Sequence, residues 1–294
     1  MAEIDFTLAP VAQALVSGIL TGGVYGLLSV GLSFAFGVMR ILNFAHGELV
    51  MYGMYAGALA TSFGVDPLAV LPLSFLITAL VGALQYQFVF RHVVGQASLK
   101  MLLAAIGCAL VLQMAARIAF GPDTRTASSV FSNKYIIAGP LFLPEALIVA
   151  FIVAVVAVLA VELVLRRTAW GKAVRAIADD MEAAQVVGID AAGINFAAFA
   201  LACGLAGIAG TVLSMYMPVQ PSTGFGLMPI ILIATVLGGL GSIGGTFIGG
   251  ICCGVIQQFT GLVWSSAPAN VPLFVLLLVF IAFRPAGLFG TRAE

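Results

Sequence analysis

Asn43, His46 and Glu48 stand close together at the edge of an apolar run. Ionisable groups at or within a membrane span are costly and usually face a cavity or a partner. Glu48 falls in the first turn of the helix that follows, where the macrodipole favours a carboxylate by about 0.3–1 kcal/mol. Asn43 is of the type that caps such an end. The group therefore reads in two ways, as the start of a helix or as side chains with a direct part in gating or solute passage. No further chemistry accompanies it. The only histidines are His46 and His92, and the apolar runs hold no paired carboxylates, metal-spaced ligands or Ser–His arrangement. No catalytic and no metal-ligating residue is assigned.

Glycines form a second constellation, Gly238-Gly239-Leu240-Gly241-Ser242-Ile243-Gly244-Gly245. Its Gly239-x-Gly241-x-x-Gly244 spacing matches a dinucleotide fingerprint, but the preceding strand, the βαβ unit and the later acidic residue are missing, so the match is spurious. Four-residue recurrences at Gly241, Gly245 and Gly249, and at Gly250 and Gly254, admit close helix contact. The alternative is a broken helix in which the backbone of Gly239, Gly241, Ser242 and Gly244 lines a path. The chain has no Gly-x-x-x-x-Gly-Lys-Ser/Thr loop and cannot hydrolyse ATP by that route.

The elements that position these residues follow from composition. Of 294 residues, 62% are hydrophobic and 8% charged, with a mean hydropathy of +1.17. Soluble domains carry roughly 25% charged residues. This chain cannot cover its surface with polar groups, so lipid must solvate it as an all-α, polytopic transmembrane helical bundle, one domain over residues 1–294. Zero net charge gives no electrostatic ground for a nucleic-acid partner. Cys108, Cys203, Cys252 and Cys253 lack metal-ligand spacing and read as small core hydrophobes. Residues 1–10 carry no basic n-region, so the first span itself is the expected targeting signal rather than a cleavable peptide.

Crossing the bilayer takes about 20 apolar residues. Spans are expected near Val11–Gly37, Leu49–Ser62, Leu68–Phe90, Leu99–Phe120, Pro144–Leu165, Ile194–Met217 and Val271–Leu288. Leu227–Val263 is too long for one span and is broken by the glycine cluster, which gives eight spans or nine. The basic run Arg166, Arg167, Lys172 and Arg175 should be cytoplasmic. Arg40, Arg91, His92, Lys100, Arg284 and Arg292 join it if the N-terminus is outside and the glycine region turns back or crosses twice. An open turn at membrane depth must be covered by protein or face a water-filled cavity, which places the glycine cluster in the protein core. The polar stretch Gly121–Gly139 then falls outside. Gln113 and Arg117 share a helix face, with Arg117 snorkelling to the outer interface. Gln257 and Gln258 suit a hydrogen bond between helices, and Glu162 the cytoplasmic interface.

The cytoplasmic stretch 166–190 carries a second periodicity. After a turn at Trp170-Gly171, apolar residues recur at Val174, Ile177, Met181, Ala184 and Val187 or Gly188, opposite a polar face of Arg175, Asp179, Asp180, Glu182 and Gln185. This predicts one helix of about 14 residues, about 21 Å long, too short and polar to span. It either docks on a soluble partner or lies in the membrane interface.

Glu182-Ala183-Ala184, followed after three intervening residues by Gly188, resembles the EAA loop by which ABC importer permeases dock their ATPase subunits. Only the first half of that motif is present, because Ala198, Phe199 and Ala200 stand where an Ile-x-Leu-Pro would follow. Asn43-Phe44-Ala45-His46-Gly47-Glu48, the glycine cluster, and Gly171-Lys172-Ala173-Val174-Arg175-Ala176 with Gly188-Ile189 extend the resemblance from about Leu15 to Leu288. The chain resembles the permease family of branched-chain amino acid ABC transporters, in its shorter H-type subunit. The resemblance implies ATPase coupling through Arg175, Asp179, Met181, Glu182, Ala183, Ala184 and Gly188. It implies a heterodimer with a longer permease, two ATPase subunits that hold ATP and magnesium, and a soluble binding protein at a bacterial inner membrane. This chain would bind no cofactor and do no catalysis. Related members import urea, amides, other amino acids or aromatic acids, so the solute stays open. A stand-alone passive channel is the alternative, since acidic ion-coupling groups are nearly absent from the spans.

Overall fold

The computed structural model describes residues 8–139, 141–263, 271–283 and 287–289. Arg284, Arg292 and the first seven residues, on which part of the orientation reading rests, lie outside them. Helix α1 (Leu8–Met39) is followed by α2 (His46–Ser62), a 3-10 turn (Pro67–Val70), α3 (Leu71–Gln85), a π-helical turn (Tyr86–Phe90), α4 (Arg91–Val93) and α5 (Ser98–Phe120). An antiparallel hairpin, β1 (Tyr135–Ala138) and β2 (Leu141–Pro144), pairs Tyr135 with Pro144 and Ala138 with Leu141. Then come α6 (Glu145–Arg167), α7 (Ala169–Asp179), α8 (Met181–Val186), α9 (Ala191–Ser214), α10 (Thr223–Gly238), α11 (Ile243–Val263) and α12 (Val271–Phe283).

Six helical segments among the described residues are long and apolar enough to cross a membrane: 9–39, 67–93, 99–120, 145–167, 191–214 and 243–263. They fall where the apolar runs predict them. The glycine-broken region is two helices, α10 and α11, joined by a turn at 239–242. That turn is not in the core as expected. It sits at the end of the bundle that carries α7 and α8, with Gly241 and Gly244 exposed.

Small residues decide which helices are central. Lipid removes the hydrophobic drive between helices, so close backbone approach takes its place. Antiparallel α1 and α11 touch through Gly18, Gly22 and Gly26 against Gly250 and Gly254, where an added Cβ would run into opposing backbone or the Phe247 side chain. Gly245 and Gly249 meet Gly238 and Ala234 of α10 in the same way. Helix α9 lays Gly207 and Gly210 against α2 and α3, and Thr211 Oγ1 donates to Gly53 O at 3.0 Å. The most apolar windows of α1 and α9 are accordingly 72% buried, against 17% in α5 and 28% in α6. The central pair is α1 and α9; α5 and α6 turn their apolar surfaces outward, to lipid or a partner.

At the opposite end from α7, the segment 121–144 is stapled over the helix ends. Gln13 bonds both backbone groups of Phe142, at 2.8 Å each. Asp66 accepts from Ser129 Oγ at 2.7 Å and from the Val130 and Leu68 backbone N–H groups at 2.9 Å each. Burial pushes the Asp66 carboxyl up, and those three bonds outweigh it, leaving the pKa below its usual value. A depressed folded pKa means the staple is complete above the ordinary aspartate range and is lost as pH falls through the lower folded value. Asp66→Ala is expected to loosen this segment by about 1 kcal/mol, read as faster trypsin cleavage at the exposed Lys134. Unchanged cleavage would show that the segment is held without Asp66, by Gln13, Thr61 on Ser128, Ser132 on Met215 O and the Arg125–Val219 bridge.

Candidate functional site

The chain does not pass directly from α1 into α2. Arg40, the one non-glycine residue with positive φ among those described (56°), turns it back at the end of α1. Residues 41–45 then return alongside α1, with Ile41, Asn43 and Ala45 buried. Irregular backbone of this kind is tolerated at membrane depth only where protein covers it or a water-filled cavity meets it. The result is that α2 starts within the bundle. His46 Nε2 meets Leu28 O at 3.0 Å, a contact about 16 Å of helix before the end of α1. A carbonyl can only accept, so Nε2 carries the proton and the ring is fixed as donor. Gly31 leaves room for that ring, and a Cβ there would lie 2.8 Å from His46 Cε1.

Asn43, His46 and Glu48 are 1%, 1% and 2% exposed. Asn43 does not cap α2 as its type suggested. Ala45 holds the cap position without a side-chain bond, and Asn43 Oδ1 instead accepts from Ala45 N at 3.0 Å in an Asx turn. Glu48 does lie in the first turn of α2, facing the start of α10 at Gly224. Asn43 Nδ2 and Glu48 Oε2 have no hydrogen-bond partner among the described residues.

The glycine set is a separate site. Gly239 and Gly241 take φ of 104° and 88°, which other residues rarely adopt. Gly241 N donates to Ser33 Oγ at 3.1 Å, Thr246 Oγ1 donates to the same oxygen at 2.8 Å, and Ser242 Oγ accepts from Gly245 N at 3.2 Å. Gly241 also rests on Gly37. Leu28 and Gly37 mark the levels of the two sets on α1, about 14 Å apart. The structure therefore does not bring Asn43, His46 and Glu48 together with Gly239, Gly241, Ser242 and Gly244; α1 is the wall they share. Below the glycine turn opens a cavity of about 580 Å³, lined by Gly241, Ser242, Gly244, Glu162, Arg166 and Arg175 among others. Glu162 pairs with Arg166 at 2.7 Å there, near the end of α6.

The far wall of that cavity is α7. The single helix predicted over 174–187 is two. Asp180 is extended (φ −151°) and its side chain accepts from Ala183 N at 3.0 Å, ending α7 and capping α8. Competition of a short acidic side chain with the helical backbone explains the break. Trp170-Gly171 is not a preceding turn but the first turn of α7, capped by Thr168 Oγ1 accepting from Gly171 N at 3.0 Å. Val174, Ile177 and Ala184 are buried, and Arg175 donates to Leu165 O. Asp179, Glu182, Ala183 and Gly188 are exposed and Met181 is half-buried. Val186 and Val187 are 88% and 77% exposed. Val187 thus lies outside the buried stripe, and with Val186 and Ala183 it forms an apolar tip rimmed by Glu182 and Gln185. Exposed apolar patches with polar rims mark interaction sites.

A family model described as "Branched-chain amino acid transport system / permease component" matches residues 14–283. The chain belongs to that family. This permease component is 29% identical, over 95% of both chains, to the high-affinity branched-chain amino acid transport system permease protein BraD of Pseudomonas aeruginosa. It is 28% identical to the permease protein LivH of Escherichia coli K12, again over 95% of both chains. A more distant relative is the probable branched-chain amino acid transport permease protein LivH of Methanocaldococcus jannaschii, at 26% identity over 90% of this chain and 88% of that one. The permease component is thus a multi-pass membrane protein, in family as in helix length.

Several residues that shape these two candidate sites of the permease were invisible in hydropathy. Ser33 ties the glycine turn to α1, and Gly224 lies on Glu48. The π-helical turn at 86–90 opens next to Gln85, whose amide is buried without a partner among the described residues. A π turn inside an apolar run leaves no mark on periodicity. Gln257 was legible as an interhelical bond and makes one, accepting from Tyr25 Oη at 2.7 Å. Gln113 and Arg117 share one face, over a small cavity against Gln220 and Ser222.

Proposed function

We propose that this chain is one permease of an ATP-driven importer of branched-chain amino acids or a related small polar solute. It lies in a bacterial inner membrane with its N-terminus outside and α7 and α8 in the cytoplasm. Its basic residues support that orientation: Arg40, Arg91, His92, Lys100, Arg166, Arg167, Lys172 and Arg175 all fall at the α7 end. Its partners are a second, longer permease, two ATPase subunits carrying ATP and magnesium, and a soluble solute-binding protein. No cofactor binds this chain, and it performs no covalent chemistry.

The observation that carries the reading is the exposed apolar tip at Ala183, Val186 and Val187, joined through α7 to the cavity under the glycine turn. ATP binding draws the two ATPases together, α8 receives that displacement, and α7 passes it to α6 and α1 through Gly171, Val174 and Ile177. The solute moves along the wall of α1, past Asn43, His46 and Glu48 and then past Gly239, Gly241, Ser242 and Gly244. No observation favours a stand-alone channel. The tagged chain drawn from native membranes in mild detergent is expected to bring an ATPase subunit and a second permease with it. Recovery alone or as a homo-oligomer would sink the reading.

A further inference from the structure

Two unpartnered polar atoms near the start of α2 have opposite sense: Asn43 Nδ2 donates and Glu48 Oε2 accepts. Both side chains are almost wholly buried. A buried carboxylate oxygen without a donor is expensive, and such a group in a folded protein calls for a partner. His46 cannot be that partner, because its Nε2 proton is engaged by Leu28 O.

What covers Glu48 is the first turn of α10. A Cβ at Gly224 would lie 2.6 Å from Glu48 Oε2 and 2.7 Å from Gly47 O, so only glycine lets this turn rest on the carboxyl group. The other face of the turn is open, with Phe225 72% exposed and Gly226 exposed beside it. Pro229 sits inside α10. It has no N–H, so the carbonyl of Phe225 loses its helical donor and the preceding turn is joined to the rest of α10 by a weakened hinge. The near end is held by the reciprocal bonds of Gln220 and Thr223, at 2.9 Å each.

We propose that the turn Thr223–Met228 is a cover that swings on Pro229, and that the uncovered Glu48 carboxylate receives the ammonium group of the transported amino acid while the Asn43 amide donates to its carboxylate. This rests on the importer reading above. A zwitterion presents one strong donor group and one strong acceptor group, and the two unpartnered atoms supply the complement of each. Charged groups at membrane depth need such pairing to cross.

The test uses the whole assembly in proteoliposomes with its binding protein, and measures labelled leucine moved per ATP hydrolysed. Glu48→Gln, which keeps shape and removes charge, is expected to lower that ratio at least about tenfold, as loss of a charged hydrogen bond would. Glu48→Asp restores most of it. Pro229→Ala, which stiffens the hinge and touches no polar group of the site, lowers it too. A wild-type ratio in Glu48→Gln, or in Pro229→Ala, would overturn the proposal. A wild-type assembly that hydrolyses ATP and moves no leucine overturns the importer reading instead, and is told apart because the failure precedes any substitution.

Discussion

Gly250→Leu is expected to abolish the monodisperse folded protein in detergent, whereas Gly261→Leu in the same helix leaves it intact. A side chain at 250 has nowhere to go. Its Cβ would overlap the backbone N and Cα of Gly26, with Gly22 O close by, so a helix rather than a rotamer must move. Overpacking costs about 1–3 kcal/mol where side chains can yield and more where backbone must shift. Total stabilities of about 5–15 kcal/mol leave little to absorb it. The loss is compounded because α1 is also the wall on which His46, Gly241 and Thr246 are hung. At Gly261 nothing lies within 4 Å of an added Cβ among the described residues. Size-exclusion profiles of the two variants check this directly. Equal behaviour of the pair would mean that the α1–α11 contact is not what holds the bundle.

The double variant Glu182→Arg with Gly188→Trp is expected to lose the ATPase from a detergent pull-down and keep the second permease. Both positions are exposed, and an added Cβ at Gly188 meets nothing within 4 Å among the described residues. Tryptophan must adopt the φ of +88° there, a local strain of about 1–3 kcal/mol, borne by a surface turn and not by the membrane helices. The reversed charge and the indole meet the docking partner at the apolar tip. Interface hot spots are worth about 2 kcal/mol or more, roughly thirtyfold in affinity. ATPase recovery equal to wild type would place the docking surface elsewhere; loss of both partners would mean that the chain had misfolded.

How much of this was legible depended on the length of the signal. An apolar run of some 20 residues cannot be anything but a span or a core helix, so α3, α5, α6 and α9 fall where hydropathy puts them. The glycine cluster was legible as a break, and its four-residue spacing as close packing, because small residues act through their own size. Its position was not, since the depth of a turn depends on where its two helices begin. Asp180 carried a usable signal, a capping residue with Glu182 in the turn that follows, yet apolar spacing runs on across it and outvoted the cap. The return of residues 41–45 into the bundle was not legible at all. Five residues form no periodic pattern, and the left-handed turn falls on Arg40, where glycine would have announced it. Asn43, His46 and Glu48 were found by residue type alone; that they lie about 14 Å of helix from the glycine turn is a fact of packing against α1.

The central claim, that this chain is a permease of an ATP-driven importer, is tested most directly by transport. The purified assembly is placed in proteoliposomes with ATP on the α7 side and leucine-loaded binding protein on the other. Leucine accumulation that requires both ATP and the binding protein is the predicted result. Leucine passage that continues without either would contradict the claim and mark the chain as a passive channel.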